Sequence, residues 1–163
     1  MTTGTLTRIA LTAFALAAAA HPVRAQQPQA APVARITLEE ARTAMDAAEA
    51  EARRNGWNLA FVISDAEGTP IYVRRMDSVP RRNYDIATNK IRTSITAGMH
   101  TADYATALQE GRIQAIEGAL TFDGGLLLRR GGAVVGAFSA SGARGAEDAQ
   151  AVRAGMAAIG IQP

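Results

Sequence analysis

The chain has 163 residues, 48% of them hydrophobic, 20% charged and 5% aromatic, with 15 Gly, 6 Pro and a formal net charge of +2. This composition excludes wholesale disorder and fibrous or linker-like repeats. With no Cys, the chain has no disulfide framework, no thiolate nucleophile, no Cys-ligated metal and no covalent c-type attachment of a prosthetic group.

A single Arg in the first eight residues is followed by the apolar run Ile9 to Ala20, and small residues stand at Val23 and Ala25. A basic start, a short apolar core and an A-x-A-like end are the pattern of a secretory signal peptide, residues 1–25. The run is too short to span a bilayer, which takes about 20 residues. Cleavage after Ala25 removes Arg8 and Arg24, so 15 of the 17 basic residues face 15 acidic ones and the processed chain is formally neutral. Neutrality without a basic run gives no electrostatic case for nucleic acid and none for membrane insertion after cleavage. The expected location is the periplasm or the medium. Residues 26–35 read as a flexible leader, and 36–163 as one domain.

Thr37 and Glu40 form a T-x-x-E capping box. Leu38, Ala41, Met45, Ala48 and Ala52 then recur at helical spacing until Gly56. Asn58 to Ser64 is apolar at nearly every position, as in a strand covered on both faces. The cluster Asp65 to Gly68 turns the chain into a second strand, Ile71 to Met76. After a loop with Pro80, Asn83 is placed to cap a helix that lines up Tyr84, Ala87, Ile91, Ile95 and Gly98, with Lys90 beside that face. Thr101 is placed to cap a short helix ending near Gly111. A second hairpin follows, Leu126 to Arg130 and Ala133 to Ser141 around Gly131-Gly132. Ala146 to Ile159 reads as the last helix. The order α-β-β-α-α-β-β-α predicts an α+β domain, one mostly antiparallel sheet of four to five strands with helices packed on it.

Four ordered blocks carry a resemblance. Asp65 to Asp77 (DAEGTPIYVRRMD) is similar to a D-A-x-G…R-M-D signature, and Thr37 to Trp57 resembles a first helix. Ala87 to Ser94 (ATNKIRTS) resembles an A-x-x-K-x-R-T-[AS] helix, and Gly124 to Gly155 a closing G-G…S-G…D segment. Together they resemble the haem-degrading, GlcG/HbpS-like family across nearly the whole domain. The resemblance implies a profilin-like fold, oligomers, haem binding for some members and a metabolic accessory role for others. The sequence departs from the pattern at Leu126, where Pro is frequent, at Ser139-Ala140-Ser141-Gly142 and at Gly98-Met99-His100-Thr101. His100 is therefore not a motif residue, and no ligand role reaches it through the resemblance.

Arg75, Asp77 and Lys90 are the candidates for chemistry. A guanidinium offers a planar fork to a carboxylate, and a desolvated amine serves as base or nucleophile. The alternative for the same residues is an Arg75–Asp77 or Lys90–carboxylate pair that fixes a loop. Haem needs an apolar slot, an axial ligand and cations for its propionates. The candidate axial ligands are His100, the one His outside the signal segment, and Met99, Tyr84 and Tyr104. Arg81 and Arg82 are placed to meet propionates. Ser141, Glu147 and Asp148 are further ligand-binding candidates, the two carboxylates also suiting a helix N-terminus.

Three functions are carried forward. The leading one is an exported, non-covalent haem- or tetrapyrrole-binding protein. The second is a small carboxylate or hydroxy-acid binding enzyme or accessory protein using Arg75, Asp77 and Lys90, and whether the chain is catalytic stays open. The third is a non-catalytic oligomeric partner of a sensor or dehydrogenase. Ala-rich helix faces contribute little buried area each, and sheet edges need cover, so a symmetric homo-oligomer is expected.

Overall fold

The computed structural model describes Met1 and residues 35–162; the expected signal segment beyond Met1 and the leader up to residue 34 lie outside the described residues. Eight elements follow in order: α1 (Leu38–Arg54), β1 (Ala60–Ser64), β2 (Pro70–Arg75), α2 (Arg81–Ala97), α3 (Thr101–Gln109), β3 (Gly125–Arg130), β4 (Ala133–Ser141) and α4 (Gly145–Ala158). The strands form one antiparallel sheet in the order β2-β1-β4-β3. This is the α+β arrangement expected from the two hairpins.

All five residues of β1 are buried, because β1 is central and both its faces are covered. Alternation along the strands divides the core in two. Phe61, Ile63, Leu126, Leu128, Phe138 and Ala140 face α1 and α4, among Ala41, Met45, Ala48, Val152 and Met156. Val62, Leu127 and Ala137 face Ala87 and Ile91 of α2. Small residues let α1 and α4 approach closely: a Cβ on Gly155 would stand 2.4 Å from the Ala44 carbonyl oxygen and 2.5 Å from Phe138.

Three local expectations are corrected. Leu38 is 45% exposed, and Ala44 takes its place on the buried stripe of α1. In the capping box the Glu40 carboxylate accepts from the Thr37 amide and hydroxyl, which holds this turn at the surface. The second helix starts two residues before Asn83, with Pro80 as N-cap at φ −62°; proline's fixed φ sets the entry. Asn83 instead reaches the Ser141 carbonyl with its amide, at 3.4 Å. At α3 the N-cap is His100, not Thr101, because the Thr101 hydroxyl is engaged with the backbone of Gly125. Among the described residues, no helix is long and apolar enough to cross a membrane.

Candidate functional site

Lys90 and Asp148 come from helices on opposite faces of the sheet, and they meet where the chain enters β3. Both are essentially enclosed, at 1% and 2% exposure. The Lys90 ammonium donates to Asp148 Oδ2 at 2.8 Å and to the Ala140 carbonyl at 2.9 Å. Asp148 Oδ1 accepts the Ala143 amide at 3.0 Å. Burial pushes the Asp148 carboxyl above its ordinary range, and the Lys90 charge opposes that shift.

The Gly124-Gly125 pair makes room for this contact. A Cβ on Gly124 would lie 2.6 Å from Asp148 Cβ and 2.8 Å from Lys90 Nζ. On Gly125 it would lie 2.8 Å from Thr101 and 2.9 Å from Lys90 Cβ. The G-G, the Lys and the Asp of the sequence blocks are thus parts of one buried clamp.

Arg75 and Asp77 are elsewhere, both exposed, and the structure does not bring Lys90 to a pocket mouth with them. Arg75 lines an open cleft of about 270 Å³ with Val73, Arg81 and Tyr84. Val73 and Arg75 project from the same face of β2 as their register partners Val62 and Ala60 project from β1, so the cleft lies on the α2 side of the sheet. Val73 is 42% exposed, Tyr84 half-buried. An apolar floor, one phenol and two guanidiniums therefore converge there. Arg82 is exposed on the neighbouring turn, and Arg81 stands 3.7 Å from Asp85.

The remaining candidates sit apart from that cleft. Glu147 accepts the Arg144 amide at 2.9 Å in the first turn of α4. Ser141 is buried at the end of β4. Tyr104 is buried, and its hydroxyl accepts the Ile116 amide at 2.9 Å. Met99 is half-buried just after α2. His100 accepts the Leu127 amide on Nδ1 at 2.9 Å, which places the proton of its neutral form on Nε2. Burial holds its pKa below 6.5, with Asp103 opposing and Arg153 and Arg129 adding to the shift. An imidazole that ligates through Nε2 needs Nδ1 to carry the proton, and here Nδ1 is already an acceptor.

Val73 did not stand out in the sequence as a binding residue. The available signal was the two-residue period of β2, which sets it beside Arg75. The roles of Thr101 and His100 against β3 had no sequence signal, since they depend on how α3 packs. Among the described residues there is no group of three or more His, Cys, Asp or Glu side chains able to hold a metal ion.

These features define an antiparallel α+β domain with a buried Lys–Asp clamp and an open, Arg-flanked cleft. The chain matches the family described as haem degrading protein, HbpS-like, over residues 36–157, and belongs to it. Its solved neighbours include a double mutant of HbpS from Streptomyces reticuli, 31% identical, TM-score 0.71, covering 85% of this chain and 97% of that one. PduOC in complex with heme shares the fold, at TM-score 0.71 and 23% identity over 78% of this chain and 97% of that one. An uncharacterized 15.0 kDa protein from the dhaT-dhaS intergenic region of Citrobacter freundii is 29% identical over 116 residues, 68% of this chain and 82% of that protein.

Proposed function

We propose that this protein binds haem non-covalently in the cleft between β2 and the first turn of α2. The observation that carries the reading is the convergence of Val73, Arg75, Arg81 and Tyr84 on one open cleft in a chain of the HbpS-like family. The donor set suits the group. A phenolate is an established axial ligand for ferric haem, and arginine forks pair with carboxylates such as propionates. With haem bound, Tyr84 would supply the oxygen ligand to the iron, Arg75 and Arg81 would meet the propionates, and Val73 would give apolar contact. The Lys90–Asp148 clamp acts at a distance, fixing α2 against the sheet.

The function includes export, for which the support is the basic start, apolar run and small-residue end of residues 1–25. N-terminal sequencing of protein recovered from the periplasm or medium checks this, with Gln26 as the expected first residue. Hemin titration checks the binding itself. A saturable Soret shift at micromolar protein is expected, and no shift would overturn the reading.

A further inference from the structure

One side of α2 carries chemistry that neither the Lys90–Asp148 clamp nor the haem cleft uses. Ala87 and Ile91 turn inward to the sheet. Asp85, Thr88, Asn89 and Arg92 recur one helical turn apart on another face, and they line an open cleft of about 340 Å³. A strap from the α3–β3 connection is tied along this face. Asn89 Nδ2 and a guanidinium nitrogen of Arg92 each donate to the Gly118 carbonyl at 3.0 Å. The Leu120 amide donates to Thr93 Oγ1 at 2.9 Å. Gly118 has φ +69°, and a Cβ there would stand 2.9 Å from the Arg92 guanidinium, so the approach of strap to helix requires glycine.

These bonds fix what the cleft offers. With its amide nitrogen on the Gly118 carbonyl, Asn89 turns Oδ1 the other way, since a flipped amide would set oxygen against oxygen. That Oδ1 is buried and has no hydrogen-bond partner among the described residues, whereas buried polar atoms are nearly always paired. The Thr88 hydroxyl gives its proton to the Tyr84 carbonyl at 2.9 Å, so its oxygen is left to accept. Asp85 is a third acceptor, held only by a loose surface contact to Arg81 at 3.7 Å that is worth little. Arg92 is exposed and, among the described residues, in no ion pair within the chain. The cleft thus presents acceptors from Asp85 to Asn89 and an uncompensated guanidinium at Arg92.

That order selects a ligand. A carboxylate belongs on the Arg92 fork. Asn89 Oδ1 and Thr88 Oγ1, about one turn before it, call for a donor, and an ammonium supplies three N–H groups. An α-amino acid carries those two charges close together, as Asn89 and Arg92 are close, both bonded to one carbonyl oxygen. Asp85 lies about 6 Å further along the helix at 1.5 Å per residue, the reach of a four-carbon stem ending in a second ammonium. A plain carboxylate would leave the Asn89 oxygen unpaired.

We propose that this cleft binds a basic α-amino acid of the lysine type, with its carboxylate on Arg92, its α-ammonium on Asn89 and Thr88, and its side-chain ammonium on Asp85. The inference does not rest on the haem reading, which uses other side chains in another cleft.

The test is calorimetric titration of the haem-free full chain with L-lysine, beside three probes that each lack one charged group: norleucine, cadaverine and ε-aminocaproate. Saturable binding of L-lysine is expected, with each of the three at least tenfold weaker. Arg92→Ala should weaken L-lysine at least tenfold while circular dichroism stays native. Asp85→Asn, at an exposed side chain, should remove the preference for lysine over norleucine, and it decides the matter if the Arg92 variant unfolds. No saturable heat at millimolar L-lysine overturns the proposal and leaves solvent as the partner of Asn89. Norleucine or ε-aminocaproate binding as well as lysine overturns the ligand class. Lysine binding indifferent to both variants overturns the site.

Discussion

Lys90 and Asp148 form an ion pair at 2.8 Å that joins α2 on one face of the sheet to α4 on the other. Two enclosed charges are held here by each other and by the Ala140 carbonyl and Ala143 amide. Such a pair gains little over a well-packed apolar replacement, but removing one partner strands the other.

Asp148→Asn should therefore cost about 3–5 kcal/mol of unfolding free energy, because the Lys90 charge stays buried without its counter-ion. Lys90→Met should cost less. Asp148 can then bind a proton, which burial already favours. A carboxyl with a raised native pKa gives stability that is present at low pH and lost as pH rises. The deficit of Lys90→Met should thus shrink on acidification, in urea titrations compared at mildly acid and mildly alkaline pH. A deficit that grows on acidification would contradict this assignment.

Gly124→Ala tests the space around the clamp. Gly124 has φ +107°, and the new Cβ would press on Asp148 and Lys90 together. Backbone strain and overpacking should lower stability by about 2–4 kcal/mol. Thermal unfolding with the native fold otherwise retained is the check. A loss near that of Gly131→Ala, whose Cβ meets nothing within 4 Å, would count against the steric part of the account.

His100 supplies a pH dependence of known sign. Its native pKa lies below 6.5, so the unfolded chain binds the proton first. The stability it contributes is full above 6.5 and is lost as pH falls toward the native value. The melting temperature should rise with pH through this window. His100→Gln should flatten the rise, since an amide accepts the Leu127 amide without titrating. An unchanged slope in that variant would assign the dependence to other groups.

The fold was largely legible because its signals are local. The unbroken apolar run of β1, the two-residue period of β2, the glycine turn at Gly131-Gly132 and the stripes of α1 and α2 each follow from short-range spacing. The errors fell at Leu38, which lies on the exposed side of its helix, and at Asn83 and Thr101, whose side chains bond other elements. Thr101 matches a capping residue in sequence, but its hydroxyl serves the backbone of β3, 24 residues away. The site was legible only in part for the same reason. Lys90 stood out as an amine beside the apolar face of its helix, yet spacing could not show that Asp148, from the far face, reaches it. Arg75, Arg81 and Tyr84 were each visible as residue types. Their meeting over Val73 depends on how α2 crosses β2.

We propose that haem is held at Tyr84 and not at His100. Parallel hemin titrations of the wild type, Tyr84→Phe and His100→Gln, followed by absorbance through the Soret and charge-transfer bands, test it most directly. The account predicts that Tyr84→Phe loses the phenolate charge-transfer band and weakens binding at least tenfold, while His100→Gln titrates as the wild type does. Loss of binding in His100→Gln with Tyr84→Phe unchanged would contradict it.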